Sequence, residues 1–296
     1  MAAQQVQFSP RQVAKSLQVS ESSVKRWCDQ GVIPTVRTVG GHRRITVDGL
    51  RQFLQVSGRT VLVPQILGLP SLRCADGVNI PGDTDPDREA FRDALARGDE
   101  PICRRVLQGR IAGSQMRGEA AEFLITDAMH GLGTAWDHKD LDPYQERRAC
   151  DICIRLINEL RSELPPLPVN APVAIGGTPA GDPYQLPTAL VELSLREVGW
   201  NATSLGSGLP MESYLQAVQD QEPQLVWLSV SSISNPAVFV AEQNRLAAQL
   251  GDEVSLIVGG RALTDEIRPQ LSYTAHCDSL RHLIDLAAML RLNAAG

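Results

Sequence analysis

The amino-acid sequence predicts a multidomain protein that combines all-α and α/β parts. A short N-terminal segment carries helix-capping residues and a concentration of Lys and Arg. The middle of the chain places apolar residues at helical spacing, and the last third alternates short apolar runs with helical segments. The chain has 296 residues, which is long enough for two or three such domains.

The composition argues against several classes of protein. Hydrophobic residues make up 43% of the sequence and charged residues 21%, as in an ordinary globular protein. No apolar run approaches the roughly 20 residues that span a bilayer, and the N-terminus has no secretory-signal pattern. The six cysteines show no disulfide spacing. We therefore expect a cytoplasmic protein without a membrane partner.

The charge is distributed unevenly along the chain. Residues 1–60 contain nine Lys or Arg and three Asp or Glu, so their formal charge is +6. The whole chain carries −6, which leaves −12 for the remainder. A small basic module on an acidic body is typical of local phosphate binding.

Residues 1–58 are predicted to form a winged helix-turn-helix domain. Ser9-Pro10 marks the start of a first helix, and Gln12 is placed to complete a capping box. A second helix begins near Ser20-Glu21 and ends at Gly31, because glycine readily adopts a positive φ. Two helices joined by so short a turn form a helix-turn-helix.

A basic β-hairpin, the wing, is predicted after the second helix. Residues 33–38 have the composition of a strand, Gly40-Gly41 supplies a tight turn, and Thr46 then caps a third helix. Polar and basic side chains on the second helix and the wing suit base edges and phosphates, so we expect double-stranded DNA as a partner. The candidate DNA-binding residues are Ser22, Ser23, Lys25, Arg26, Arg37, His42, Arg43 and Arg44.

This order of elements resembles the MerR superfamily of transcription regulators over about residues 8–55. The stretches SVKRWCDQGVIP and TVGGHRRI carry the resemblance. One helix-turn-helix reads only a short half-site, so we expect a homo-oligomer, a dimer or a tetramer, on a repeated or palindromic operator. The structural alternative is a small helical module whose arginines form a solvated face.

The middle of the chain predicts a linker followed by a helical bundle. Residues 59–86 contain several Pro and Gly and little periodicity, whereas residues 87–164 place apolar residues on one face of four successive helices. One face includes Ala90, and the fourth helix is expected over about residues 143–164. Cys150 and Cys153 are expected to be buried apolar residues, since no second pair of metal ligands lies nearby. No metal site is predicted.

The last part of the chain predicts a flavodoxin-like, doubly wound parallel sheet. Residues 165–172 form a stiff proline-rich linker, after which strands and helices alternate over residues 173–296. Ligands of such sheets bind beyond the carboxyl ends of the strands. Here that edge consists of the loops 178–187, 206–210, 229–235 and 259–262.

The order of the three domains is similar to that of the CarH/LitR group of MerR-family, cobalamin-dependent photoreceptors. The resemblance implies a cobalamin-binding-like α/β domain and a bundle that caps the corrinoid with a Trp and a Glu-His pair. Trp136 and Glu146 match that spacing, but Arg147 stands at the His position. The family's second His, which binds after illumination, corresponds to Asp137 here, with His138 one residue further on.

In the α/β domain, the family signature is an acid, a cobalt-binding His and a Gly, and DPYQLP is the matching stretch. Asp182 keeps the acid, whereas Tyr184 replaces the His and Pro187 the Gly. Two serines match hydroxyls beside the nucleotide tail, and a glycine pair matches the one that makes room for it. The residues that the resemblance assigns to the cofactor are Trp136, Glu146, Arg147, Asp182, Tyr184, Leu186, Ser229, Ser231, Gly259 and Gly260.

The tyrosine at position 184 changes the expected chemistry. A phenol is mostly protonated at neutral pH and is a poor cobalt ligand, so His-ligated cobalamin is not expected. Four alternatives stay open: cobalamin bound base-on or without a protein ligand, another tetrapyrrole such as the bilin biliverdin, a different small molecule, or no ligand.

Two function classes follow from these residues. One is a transcription regulator whose sensor responds to a ligand or to light and controls oligomerisation and DNA binding. The other is a ligand-independent regulator whose C-terminal domain is a protein-interaction or effector surface. An enzyme is not expected, because the sequence contains no recognisable nucleophile–base constellation or metal-ligand cluster, and it predicts no catalytic residues.

Overall fold

The computed structural model divides the chain into two compact units, Met1–Val78 and Asn79–Gly296. For residues 7 and 37 and residues 133–137 and 292–294 it describes the backbone alone. Among the described residues, no helix is both long and apolar enough to cross a membrane. The residues that the structure describes are 7–16, 21–37, 43–46, 49–50, 53, 85–114, 116–137, 142–251 and 253–294.

The first unit contains helices and a small antiparallel sheet. The predicted hairpin is confirmed, and its tip, Gly40-Gly41 and His42, lies outside the described residues. A further strand precedes the first helix and pairs with the hairpin; at two residues it is too short to show a periodicity. The elements are β1 (Gln7–Phe8), α1 (Pro10–Ser16), α2 (Glu21–Asp29), β2 (Thr35–Arg37) and β3 (Arg43–Thr46), and the strand order is β1-β3-β2.

Local hydrogen bonds fix the helix ends of this unit. The Ser9 amide donates to Gln12 Oε1 at 2.9 Å and the Gln12 amide donates to Ser9 Oγ at 3.3 Å, so the predicted capping box is confirmed. Gly31 has a φ of 72°, and the amide of Gly49 donates to Thr46 Oγ1 at 3.0 Å. The buried core of the unit includes Val13, Val24, Ile33, Ile45, Leu50 and Phe53.

The second unit begins with four helices, and the fourth ends two residues before the predicted 164. Aspartates cap three of these helices, including a complete capping box at Asp142. Ala90 is exposed, contrary to its predicted place on the inner face, because the buried stripe of its helix passes through Phe91, Ala94 and Leu95. The helices are α3 (Pro86–Arg97), α4 (Glu100–Ala112), α5 (Arg117–Asp137) and α6 (Pro143–Ser162).

The predicted burial of the two cysteines of α6 is confirmed for one of them. Cys153 is fully buried in the shared core, whereas Cys150 is half-buried. Burial raises the pKa of the Cys150 thiol to about 11, so both cysteines stay protonated, apolar groups at neutral pH. Cys153 contributes packing to the core of the bundle.

A five-stranded parallel sheet in the order β5-β4-β6-β7-β8 completes the second unit. A short 3-10 helix, Arg268–Gln270, lies between β7 and β8. The strands are β4 (Val173–Gly177), β5 (Asn201–Ser204), β6 (Leu225–Ser229), β7 (Ser255–Gly259) and β8 (Ala275–Cys277). The helices are α7 (Gln185–Glu197), α8 (Met211–Gln221), α9 (Pro236–Leu250) and α10 (Leu280–Ala294).

The bundle is attached to the sheet domain through the first turns of α5. Glu197 accepts hydrogen bonds from the amides of Arg117 at 2.7 Å and Gly118 at 3.0 Å, which caps α5 from the end of α7. A Cβ on Gly118 would lie 2.3 Å from Ser194 Oγ, so a glycine allows the two helices to meet. Bundle and sheet therefore share one continuous apolar core.

Candidate functional site

The second helix of the first unit has one apolar and one polar face. Val24 and Cys28 are buried, whereas Lys25 and Arg26 are exposed. Ser22 is also exposed and Ser23 is half-buried, and Lys25 forms an ion pair of 2.8 Å with Glu21. Hence α2 is held by its apolar side and presents the predicted polar and basic residues to solvent.

The wing is tied to this helix by an ion pair that the sequence did not reveal. Arg43 on β3 contacts the carboxylate of Asp29 in the last turn of α2. Arg44 is half-buried and lies opposite Val36 in the hairpin register. The structure therefore brings Arg43 together with α2, whereas the side chains of Arg37 and His42 lie outside the described part of the chain.

In the second unit, the carboxyl edge of the sheet is organised around Asp182. This residue is fully buried, and Oδ2 accepts hydrogen bonds from the amides of Ser231 at 2.5 Å and Ser232 at 3.1 Å. Its Oδ1 accepts from the amide of Tyr184 at 3.1 Å. One carboxylate thus joins the loop after β4 to the loop after β6.

A second set of hydrogen bonds supports the same loop. Thr178 Oγ1 donates to the Asp182 carbonyl at 2.6 Å and accepts from the Gly208 amide at 2.9 Å. The hydroxyl of Tyr214 donates to the Thr178 carbonyl at 3.0 Å, and burial raises the pKa of this phenol. Sequence reasoning missed Thr178 and Tyr214; the only signal was the position of Thr178 directly after a buried strand.

Tyr184 lies at the entrance of α7 and is 41% exposed. The guanidinium carbon of Arg261 lies 5.1 Å from the centre of its ring, and Arg261 Nε donates to the Ser231 carbonyl at 3.2 Å. Two predicted residues, Tyr184 and Ser231, therefore meet through Asp182 and Arg261. No sequence pattern distinguishes Arg261 from the other arginines.

The glycine pair Gly259-Gly260, at the end of β7, leaves room for neighbouring backbone atoms. Gly260 has a φ of 117°, and a Cβ there would lie 2.2 Å from the Val230 carbonyl oxygen. A Cβ on Gly259 would lie 2.7 Å from the carbonyl oxygen of Cys277. Ser229, which pairs with Gly259 across the strands, is buried. The space at both glycines is thus used by the adjacent strand ends.

The other residues assigned to the cofactor lie on two helices of the bundle and on α7. Trp136 is near the end of α5, and its side chain lies outside the described part. Glu146 is half-buried in the first turn of α6, and Arg147 beside it is exposed. Leu186 is half-buried and packs against the main core. These residues share no described contact with the network of Asp182.

Residues 8–55 match the family model of the helix-turn-helix domain. The match coincides with the unit that carries α1, α2 and the hairpin. Comparison with curated proteins found no match. Among the described residues, no group of three or more His, Cys, Asp or Glu side chains is arranged to hold a metal ion.

Solved structures similar to this chain include several corrinoid proteins. The monomethylamine corrinoid protein of Methanosarcina barkeri is 17% identical, with a TM-score of 0.53, over 67% of this chain and 95% of its own. A cobalamin-binding protein of Desulfitobacterium hafniense DCB-2 is 16% identical, with a TM-score of 0.37, over 69% and 98%. The methanol:cobalamin methyltransferase complex of Methanosarcina barkeri is 18% identical, with a TM-score of 0.37, over 72% of this chain and 81% of its own. The similarity to the monomethylamine corrinoid protein shows that the bundle and sheet of this chain share the fold of that protein.

The residues beside the sheet edge do not fit a corrinoid held by a histidine with its nucleotide tail at the glycine pair. Tyr184, which the resemblance places at the position of the cobalt-binding His, offers a phenol, and the guanidinium carbon of Arg261 lies 5.1 Å from the centre of its ring. Both carboxylate oxygens of Asp182 accept hydrogen bonds from backbone amides, and the carbonyl of Val230 occupies the space beside Gly260. Any ligand at this edge is therefore held in another way.

Proposed function

We propose that this protein is a MerR-type transcription regulator that binds double-stranded DNA through residues 8–55. The observation that carries the proposal is the polar face of α2, where Lys25 and Arg26 are exposed while the opposite face is buried. Arg43 holds the wing beside this helix through Asp29. Exposed basic side chains on a helix and an adjoining hairpin suit the bases and phosphates of one half-site.

The second unit is proposed to sense a planar tetrapyrrole, as in the CarH/LitR group. The shared fold of bundle and sheet supports this assignment, and so does an edge on which the backbone of an exposed tyrosine is bonded to a buried carboxylate. The ligand is a bilin such as biliverdin, or cobalamin without a protein ligand on its cobalt. Binding, or light absorbed by the ligand, changes the oligomeric state and with it the affinity for DNA.

The absorption spectrum of the full chain tests the sensor part of this proposal. The protein is incubated separately with biliverdin and with hydroxocobalamin, and free ligand is removed by gel filtration. We expect one of them to co-elute, and its illumination to shift the oligomeric state measured by light scattering. Protein that stays colourless with both ligands, with unchanged DNA binding, rejects the sensor.

A ligand-independent regulator is the second candidate, and one observation favours it. Both the carboxylate of Asp182 and the space beside Gly260 are used by the protein's own backbone. In that case the C-terminal unit is an interaction surface for a protein or an effector. The two candidates differ in the spectrum described above, whereas both require DNA binding by the first unit.

The wing provides a prediction about DNA binding. Replacing Arg44 with Ala is expected to lower the slope of log affinity against log salt by about one unit, because one phosphate contact is lost. The double variant with Arg43→Ala loses up to about two units and also the ion pair with Asp29. Fluorescence anisotropy with duplex DNA of mixed sequence over a salt series measures this.

The matched control is Arg105→Ala, which removes an exposed arginine from α4 in the second unit. Its slope is expected to equal that of the unaltered protein. A wing variant with an unchanged slope, alongside unchanged folding by circular dichroism, means that the wing does not contact phosphate.

A further inference from the structure

We infer that Arg261 and Tyr184 form an anion-binding pair that binds a carboxylate of the ligand and thereby selects acid-bearing, bilin-type tetrapyrroles. This inference rests on the proposed function and names the ligand class of the same site. Its starting point is the placement of the guanidinium 5.1 Å from the centre of the Tyr184 ring.

The position of Arg261 is set by the backbone on both sides. Gly260, with a φ of 117°, lies against the carbonyl of Val230, and Arg261 follows it directly. Arg261 Nε then donates to the carbonyl of Ser231 at 3.2 Å. Both anchors lie in the segment after β6, so the guanidinium is oriented by the sheet edge and not by its own flexible chain.

The same buried carboxylate fixes both members of the pair. Asp182 binds the amide of Ser231, whose carbonyl holds Arg261, and it also binds the amide of Tyr184. The backbone of Tyr184 and the Nε atom of Arg261 are therefore positioned before any ligand arrives. Such preorganisation lowers the entropy cost of binding.

The charge of Arg261 is not neutralised in the described part of the chain. Its terminal nitrogens form no ion pair there, and Asp182 is fully buried with its oxygens directed at backbone amides. The first turns of α7 and α9 contain no Asp or Glu. An exposed positive group thus lies beside an aromatic ring at the edge where such folds bind ligands.

This combination selects a particular ligand chemistry. A guanidinium binds a carboxylate through two parallel hydrogen bonds, and an aromatic ring stacks on a planar conjugated system. A bilin offers both, because its conjugated pyrroles carry free propionates. The corrin side chains of cobalamin end in amides and offer no carboxylate; its single anion is the phosphodiester of the nucleotide tail, away from the conjugated ring.

The test compares three ligands on the full chain: biliverdin, biliverdin dimethyl ester and hydroxocobalamin. Absorbance titrations are made with the unaltered protein, Arg261→Gln, Arg261→Lys and the matched control Arg245→Gln. Arg245 is an exposed arginine of α9 that pairs with Glu212 on α8, away from Tyr184. Thermal unfolding checks that each variant is folded.

We expect Arg261→Gln to weaken biliverdin binding by roughly 10- to 100-fold, the range of one charged hydrogen-bonded contact. The dimethyl ester should bind the unaltered protein as weakly as biliverdin binds this variant. Arg261→Lys keeps the charge without the paired geometry and falls between them. The control variant should match the unaltered protein with every ligand.

Three results overturn the inference, and they are distinguishable. Equal biliverdin binding by the unaltered protein and Arg261→Gln, or binding of hydroxocobalamin alone, rejects the role of Arg261 while the proposed sensor stands. If the unaltered protein binds none of the three ligands, the proposed sensor function is rejected, and the anion-binding pair is rejected with it.

Discussion

Replacement of Asp182 with Ala is expected to lower the free energy of unfolding of the second unit by about 3–5 kcal/mol. The carboxylate is fully buried and accepts hydrogen bonds from the amides of Tyr184, Ser231 and Ser232. Removing it leaves three backbone amides at the carboxyl edge of the sheet without an acceptor, and each buried unpaired donor costs about 1–3 kcal/mol. Urea unfolding of the full chain, followed by tryptophan fluorescence, measures the loss.

Two further variants make the measurement specific. Asp182→Asn keeps one acceptor oxygen in the same place, so its loss should lie between those of the Ala variant and the unaltered protein. Asp220→Ala removes an exposed carboxylate of α8 that accepts a hydrogen bond from Gln216, and it should cost less than about 0.5 kcal/mol. If Asp182→Ala is as stable as Asp220→Ala, then Asp182 does not join the two loops.

The sequence predicted the elements well because their signals are local. The predicted alternation of strands and helices begins with the strand Val173–Gly177, which is an unbroken apolar run, and the helix Pro236–Leu250 begins with a proline, so each signal lies within a few residues. The capping box of Ser9 and Gln12 is likewise a contact over three residues. Patterns of this kind need no knowledge of tertiary structure.

The contacts of the candidate site could not be predicted in the same way. Asp182 and Ser231 are 49 residues apart, and the crossover of the sheet alone brings them together. A resemblance assigns Asp182 to a cofactor, whereas its surroundings show that it holds two loops of the protein. Arg261 escaped notice because an exposed arginine after two glycines carries no signal until the opposite loop is in place.

The other large effect is expected at Trp227 on β6. Trp227 is 2% exposed, lies in the core that the sheet shares with the bundle, and donates from Nε1 to Thr188 Oγ1 at 2.9 Å. A Cβ on Gly176 of the adjacent strand would lie 2.1 Å from its ring, so the indole fills this space completely. Trp227→Ala should cost about 3–5 kcal/mol, because the cavity cannot close around so large a loss.

The hydrogen bond of this indole can be separated from its packing by a double-mutant cycle. Thr188→Val removes the acceptor and leaves a buried N–H unpaired, at a cost of about 1–3 kcal/mol. Trp227→Phe removes the donor together with part of the ring. In the double variant neither partner is left unpaired, so the two losses should not add. Simple additivity in urea unfolding would mean that the bond between Thr188 and Trp227 contributes nothing, and that packing alone holds the sheet against α7.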